Sequence, residues 1–159
     1  MADTKISALT ALTSLDDDDE FAANDDSASE TKRITWANVK GSIPAEIIVA
    51  CSDESTAIDS TGTKVTFRMP FAMTLSEVRA SVNSACATGT FTVDINEGTS
   101  ILSTKLTIDA TEETSTTAAV AAVISDSALA DDAEIAIDVD DTGDDTATGL
   151  KVVLIGTRA

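Results

Sequence analysis

From Pro44 to the C-terminus, apolar side chains fall at every second position in short runs, and Gly, Asp and Ser separate the runs. Val65, Phe67 and Met69 alternate in this way, as do Phe91, Val93 and Ile95, and Ile135, Ile137 and Val139. A period of two puts one row of side chains on one face of an extended strand, so each run reads as a half-buried strand. Further runs at 46–51, 101–109, 115–124 and 149–156 bring the expected total to about eight. In 101–109, Leu102, Leu106 and Ile108 share a face. In 149–156 the apolar character is nearly continuous, which predicts a central strand covered on both sides. Thr74–Val82 fits two templates. Thr74-Leu75-Ser76-Glu77 has the form of a capping box, with Leu75, Val78 and Val82 at helical spacing, but Val78, Ala80 and Val82 also alternate. Its strand neighbours decide for a strand. The expectation for 44–159 is an all-β body of about eight strands, a sandwich, jelly roll or barrel.

Residues 1–43 are a different material. They are acidic and of low complexity, with Asp16-Asp17-Asp18-Asp19-Glu20 near the middle. Ile6, Leu9, Leu12 and Leu15 recur every three residues, closer to a polyproline-II strip with one apolar tooth per turn than to a helix. Such a strip buries nothing by itself, so the segment is expected to be an extended arm that orders against a partner. The acidic run reads as a hydrated spacer. In Lys32–Lys40, Ile34, Trp36 and Asn38 alternate, giving a strip able to pair at a sheet edge with Trp36 as an anchor. Gly41-Ser42-Ile43-Pro44 marks the boundary. The partner-binding residues expected on the arm are Ile6, Leu9, Leu12, Leu15, Ile34 and Trp36.

Charge narrows the choice of partner. The net charge is −18, and both halves are acidic. Neither offers the basic face that phosphate backbones or anionic bilayers require. No stretch approaches the length needed to span a membrane, and Met1–Lys5 lacks the apolar core of a signal peptide. Synthesis in a cytoplasm without Sec export is the expectation.

Histidine and tyrosine are both missing. Ser-His and Cys-His nucleophile pairs therefore have no base, and no glycine-rich phosphate cradle is present. Paired carboxylates are available for glycoside hydrolysis, but the body holds three phenylalanines as its whole aromatic complement, too few for a sugar platform. No catalytic residue and no cofactor are expected. Asp138-Val139-Asp140-Asp141-Thr142-Gly143-Asp144-Asp145 opens like a calcium loop, with Asp138, Asp140 and Gly143 at offsets one, three and six. Gly149 stands where the twelfth-position Glu belongs, so a solvated strand-to-strand loop is expected, with no metal. Cys51 and Cys86 lack zinc spacing and read as buried thiols; whether they pair is open.

Two groups of segments resemble modules of tailed-bacteriophage structural proteins. Lys5-Ile6-Ser7-Ala8-Leu9-Thr10-Ala11-Leu12, an acidic stretch, and Lys32-Arg33-Ile34-Thr35-Trp36-Ala37-Asn38-Val39 resemble an N-terminal module of capsid-decorating proteins and tail fibres. Phe67-Arg68-Met69-Pro70-Phe71-Ala72-Met73-Thr74-Leu75, Val93-Asp94-Ile95-Asn96, Ser100–Asp109 and Gly149-Leu150-Lys151-Val152 resemble a jelly-roll-like domain of the same kind of protein. The resemblance implies a jelly-roll-like sandwich behind an anchoring arm. It also implies a non-enzymatic role as a capsid decoration (cement) protein, a homotrimer on the major capsid protein at the outer surface of the virion. The alternative it implies is a tail-associated fibre or receptor-binding protein whose body faces host glycans.

Overall fold

The computed structural model describes residues 13–159. The chain divides into two compact units, 1–42 and 43–159.

The first unit holds a hairpin and a short helix. Strands β1 (Glu20–Asp25) and β2 (Glu30–Thr35) pair antiparallel, with Phe21 opposite Ile34. Helix α1 follows at Trp36–Ser42. This corrects two expectations. Residues 20–42 are not an extended arm, and the run 32–40 is not one strand, because it turns helical at Trp36. The cause is local: the Thr35 hydroxyl accepts from the Asn38 amide at 3.3 Å, an N-cap that ends β2 and starts α1. The acidic run is not a free spacer either. Asp19 and Asp17 carbonyls accept from the Trp36 and Ala37 amides at 2.8 and 3.1 Å, and the Asp17 carboxylate pairs with Lys40 at 2.5 Å. The first two bonds satisfy amides that a helix start leaves without intrahelical partners.

The second unit is an all-β sandwich. Six strands of seven or more residues carry it: β3 (Pro44–Ala50), β4 (Gly62–Arg68), β5 (Met73–Ser81), β6 (Phe91–Glu97), β12 (Glu134–Thr142) and β13 (Lys151–Arg158). Short strands fill the gaps: β7 (Thr99–Ser100), β8 (Leu102–Thr104), β9 (Leu106–Ile108), β10 (Val123–Ile124) and β11 (Ala128–Leu129). One sheet has the order β11-β5-β13-β3 and the other β4-β12-β6-β7, with β9 also on β6; all pairings are antiparallel. The predicted alternation is realised in β6 and β12: Phe91, Val93, Ile95, Ile135, Ile137 and Val139 are all fully buried. Val152 and Leu154 face them from the other sheet's side of the core.

Three expectations change in detail. The run 101–109 is broken at Lys105 into β8 and β9. The run 115–124 is mostly not a strand: Thr114 caps a single 3-10 turn at Ser115–Thr117, and only Val123–Ile124 pair, with β8. Finally, β13 is central but its outer face is open, since Val153 and Ile155 are half-buried.

The ambiguous segment forms a strand, β5, as far as Ser81, and its helix-like spacing has a structural source. In β5, Leu75 pairs with Gly156 and Glu77 with Ile155, so Ser76 is an extra residue, a β-bulge. Ser76 and Glu77 are both exposed, and the buried phase shifts from Leu75 to Val78, Ala80 and Val82. Across the bulge, a Cβ on Gly156 would lie 2.1 Å from the Thr74 carbonyl oxygen, so no side chain fits there.

Candidate docking surfaces

On the first unit, the predicted binding residues divide into two sets. Ile6, Leu9 and Leu12 lie outside the described residues. Leu15 is exposed, and Ile34 and Trp36 are half-buried. The hairpin register brings Ile34 to Phe21, and the start of α1 folds Trp36 onto the Phe21 ring, edge to face at 6.4 Å between centroids and 62° between planes. Phe21, Ile34 and Trp36 thus form one aromatic–aliphatic patch, with Phe21 left 39% exposed. Phe21 is not among the residues expected from the sequence. Its signal was the opposite charge carried by the two flanks of a short turn: Asp25 and Glu20 on one side, Lys32 and Arg33 on the other. In the structure Lys32 reaches Asp25 and Arg33 reaches Glu20, each at 2.6 Å. These exposed pairs set register more than they add stability.

The acidic stretch of the second unit is distributed differently from a cation loop. Asp138 and Asp140 belong to β12 itself. Asp138 accepts from the Asn96 side chain at 3.0 Å, and its other carboxylate oxygen is buried without a partner. Asp140 pairs with Lys105. Asp141, near the end of β12, accepts from the Gly143 amide; in the loop that follows, Asp144 accepts from the Ala87 and Thr88 amides, both at 2.9 Å, and Asp145 from the Thr142 hydroxyl. The Thr146 hydroxyl first, and then the Thr88 and Ala87 amides, hold the Asp144 carboxyl below its ordinary range. These carboxylates tie loop to loop and do not converge. Gly143 is required at the crossing: it has φ +67°, and a Cβ there would meet the Cys86 sulfur at 2.7 Å.

Cys51 and Cys86 are both buried free thiols. Burial pushes the Cys51 thiol up to about 11, which makes it a poor nucleophile at neutral pH.

A cleft of about 480 Å³ opens beside the β5 bulge, lined by Ser76, Val78, Leu106, Ser115, Ala122 and Ile124 among others. Glu77 is its one charged wall residue, and that carboxylate is held by Arg79 at 2.6 and 2.9 Å. Nothing in the wall combines a nucleophile with a base.

The outer face of the β11-β5-β13-β3 sheet carries a row of Arg79, Val153 and Ile48 in register, and Ile48 is 67% exposed. Ile48 sits on the edge strand. The sequence reading placed it in a strand without identifying its face. Among the described residues, no helix is long and apolar enough to cross a membrane.

The fold and these surfaces define an all-β sandwich protein accompanied by a hairpin–helix unit bearing an aromatic patch. No family model, curated protein or solved structure matches the chain.

Proposed function

We propose that the protein is a structural component of a tailed-phage virion, a capsid decoration protein that binds the outer shell and reinforces it without catalysis. The observation that carries this reading is the Phe21–Ile34–Trp36 patch, borne on a unit distinct from the sandwich. Exposed aromatic anchors beside aliphatic side chains are the residue types that dominate protein–protein affinity. The resemblance of the 5–12 and 32–39 segments to a phage anchoring module supports the same role. In this reading the first unit, with residues 5–15, docks on the major capsid protein and the two-sheet body is the jelly-roll-like knob behind it. Many copies on one lattice make weak single contacts sufficient. The strong negative charge keeps so crowded an array soluble.

The test is co-sedimentation with purified capsid shells. Deleting residues 1–15 abolishes addition to the shell, and Phe21→Ala with Trp36→Ala weakens it by about tenfold or more, while the body stays folded by circular dichroism. Undiminished binding by both variants overturns the reading.

A further inference from the structure

The free edge of β3 has a self-complementary register. Among the described residues, β3 pairs with β13 on one side and is the outermost strand of its sheet. The Cys51 amide donates to the Leu150 carbonyl at 2.8 Å, in the same register that sets Ala50 opposite Lys151. In an antiparallel ladder the hydrogen-bonding direction alternates residue by residue. Ala45, Ile47 and Val49 therefore address β13, and the amides and carbonyls of Glu46, Ile48 and Ala50 point to the open edge. The side chains of those same three residues stand on the exposed outer face.

We propose that β3 pairs antiparallel with β3 of a second copy of this chain, about a two-fold axis at Ile48, joining two four-stranded sheets into one of eight strands. The sequence of the strand selects this register. Centring the axis on Glu46 sets two carboxylates directly opposite each other, which destabilises a strand pair. Centring it on Ile47 completes no more bonds, since Pro44 then faces Ala50 and has no amide to donate, and it sets each Glu46 carboxylate opposite Ile48 of the other copy in place of Ile48 against Ile48. Centring it on Ile48 leaves Pro44 beyond the ladder and completes about six interchain hydrogen bonds, two for each hydrogen-bonded pair. Ile48 then lies against Ile48 of the second copy, and the outer face acquires a continuous apolar stripe: Val153, Ile48, and the same two residues of the other copy. Each Glu46 falls opposite Ala50 of the second copy. Across that small side chain stands Lys151, in register with Ala50 on β13. Lys151 already pairs with Glu54 at 2.9 Å, so it offers Glu46 of the other copy a longer-range attraction and no direct ion pair. On the inner face, half-buried Ile47 meets Val49 of the other copy. The contact is two-fold, which differs from the three-fold association implied by the phage resemblance, and it does not depend on docking to a shell.

Opposing the contact is the net charge of −18 on each copy. Long-range repulsion of this kind is screened by salt, so dimerisation strengthens as ionic strength rises from 0.02 to about 0.5 M.

The test is sedimentation equilibrium of the full-length chain across a range of concentration and salt, with two Ile48 variants, and oxidative cross-linking of two cysteine variants. The wild type reaches twice the monomer mass of 16.4 kDa. Ile48→Pro removes an outward amide that β13 does not use, and Ile48→Lys sets two ammonium groups on the axis; each weakens the dimer by about 30-fold or more, with folding confirmed by unchanged circular dichroism. The register is read by Ile48→Cys, which cross-links to itself on oxidation because hydrogen-bonded antiparallel partners lie about 5.5 Å apart between Cα atoms. Glu46→Cys does not cross-link to itself. A wild type that stays monomeric at every salt concentration overturns the proposal. So does a dimer that both Ile48→Pro and Ile48→Lys leave intact, and so does efficient self-cross-linking of Glu46→Cys.

Discussion

Lys105 neutralises a carboxylate on the outer side of β6: its ammonium lies 3.0 Å from Oδ2 of Asp94, whose side chain is 6% exposed. The other oxygen of Asp94 accepts from the Ile95 amide at 2.8 Å and the Ser100 hydroxyl at 2.7 Å. A buried carboxylate survives because both of its oxygens and its charge are answered. Directly across the ladder from Asp94 stands Asp138, a second acid, and Lys105 also pairs with Asp140, so the loss of Lys105 removes the cation from Asp94 and Asp140 in an acidic neighbourhood. The break between β8 and β9 is the place where Lys105 turns inward to this task.

Lys105→Met is therefore expected to destabilise the body by about 1–3 kcal/mol, discounted from the full buried-pair value because Lys105 is partly solvated. Urea unfolding at pH 7 measures it. Asp140 first, and then Asp94, hold the Lys105 ammonium above its ordinary value of 10.5. Its stabilising contribution is accordingly complete below pH 10.5 and fades as pH rises through the higher folded value. The wild type loses stability in that alkaline window, and the Lys105→Met variant lacks that part of the loss.

Gly156→Ala tests the bulge. The added methyl meets backbone, the Thr74 carbonyl, and backbone cannot swing aside as a side chain can. A cost of about 1–3 kcal/mol is expected from overpacking, read as a lower Tm. A control at Gly98, where a Cβ meets nothing within 4 Å, separates crowding from backbone strain, since Gly98 has φ +72°. Gly98→Asn, which tolerates positive φ, is expected to leave Tm nearly unchanged.

The bulge also shows what a single sequence carries and what it conceals. Alternation in β6 and β12 was legible because each strand buries one face throughout. In β5 the same signal was split by Ser76, and an offset of three between Leu75 and Val78 imitated a helix. The 115–124 run misled in the other direction. Thr, Ala and Val have the right propensities, but Thr114 and Ser115 spend their hydroxyls on the Thr116 and Ala80 amides, and the backbone turns. In the first unit, the apolar positions Ile34 and Trp36 stood out from their polar neighbours. Phe21 was not legible with them, because the hairpin that brings it to them is held by charges and a turn with Ser29 at φ 54°, not by an apolar period. The exposure of Ile48 was also concealed, because an apolar residue in an apolar run gives no sign that its strand lies at an edge.

Asp53 predicts an acid-sensitive step. Its carboxylate accepts from the Thr56 and Ser55 amides at 2.7 and 2.9 Å, and those bonds, Thr56 first, lower it from 3.8 to about 2. A depressed carboxyl contributes stability that is complete above its unfolded value and is lost as pH falls through the folded one. Between pH 4 and 2 the wild type loses this contribution; Asp53→Asn does not. Thermal melts at half-unit pH steps across that window distinguish the two.

The thiols give a kinetic readout of the closed core. Cys51 and Cys86 are 7% and 3% exposed, and Cys51 is held as the neutral thiol. Both are expected to stay unmodified by a disulfide reagent at pH 8 until denaturant is added, when two equivalents react. Immediate reaction of either in the native protein contradicts the packing described.

In the proposed function the hairpin–helix unit is what meets the shell. Trp36 is the chain's one tryptophan and lies in that unit, so protein labelled with 5-fluorotryptophan reports on it alone through a single fluorine resonance. On addition of purified capsid shells, the account predicts that this resonance broadens away in proportion to the protein that co-sediments, as an immobilised anchor on a very large particle must. A sharp, unshifted resonance persisting while the protein co-sediments would contradict it.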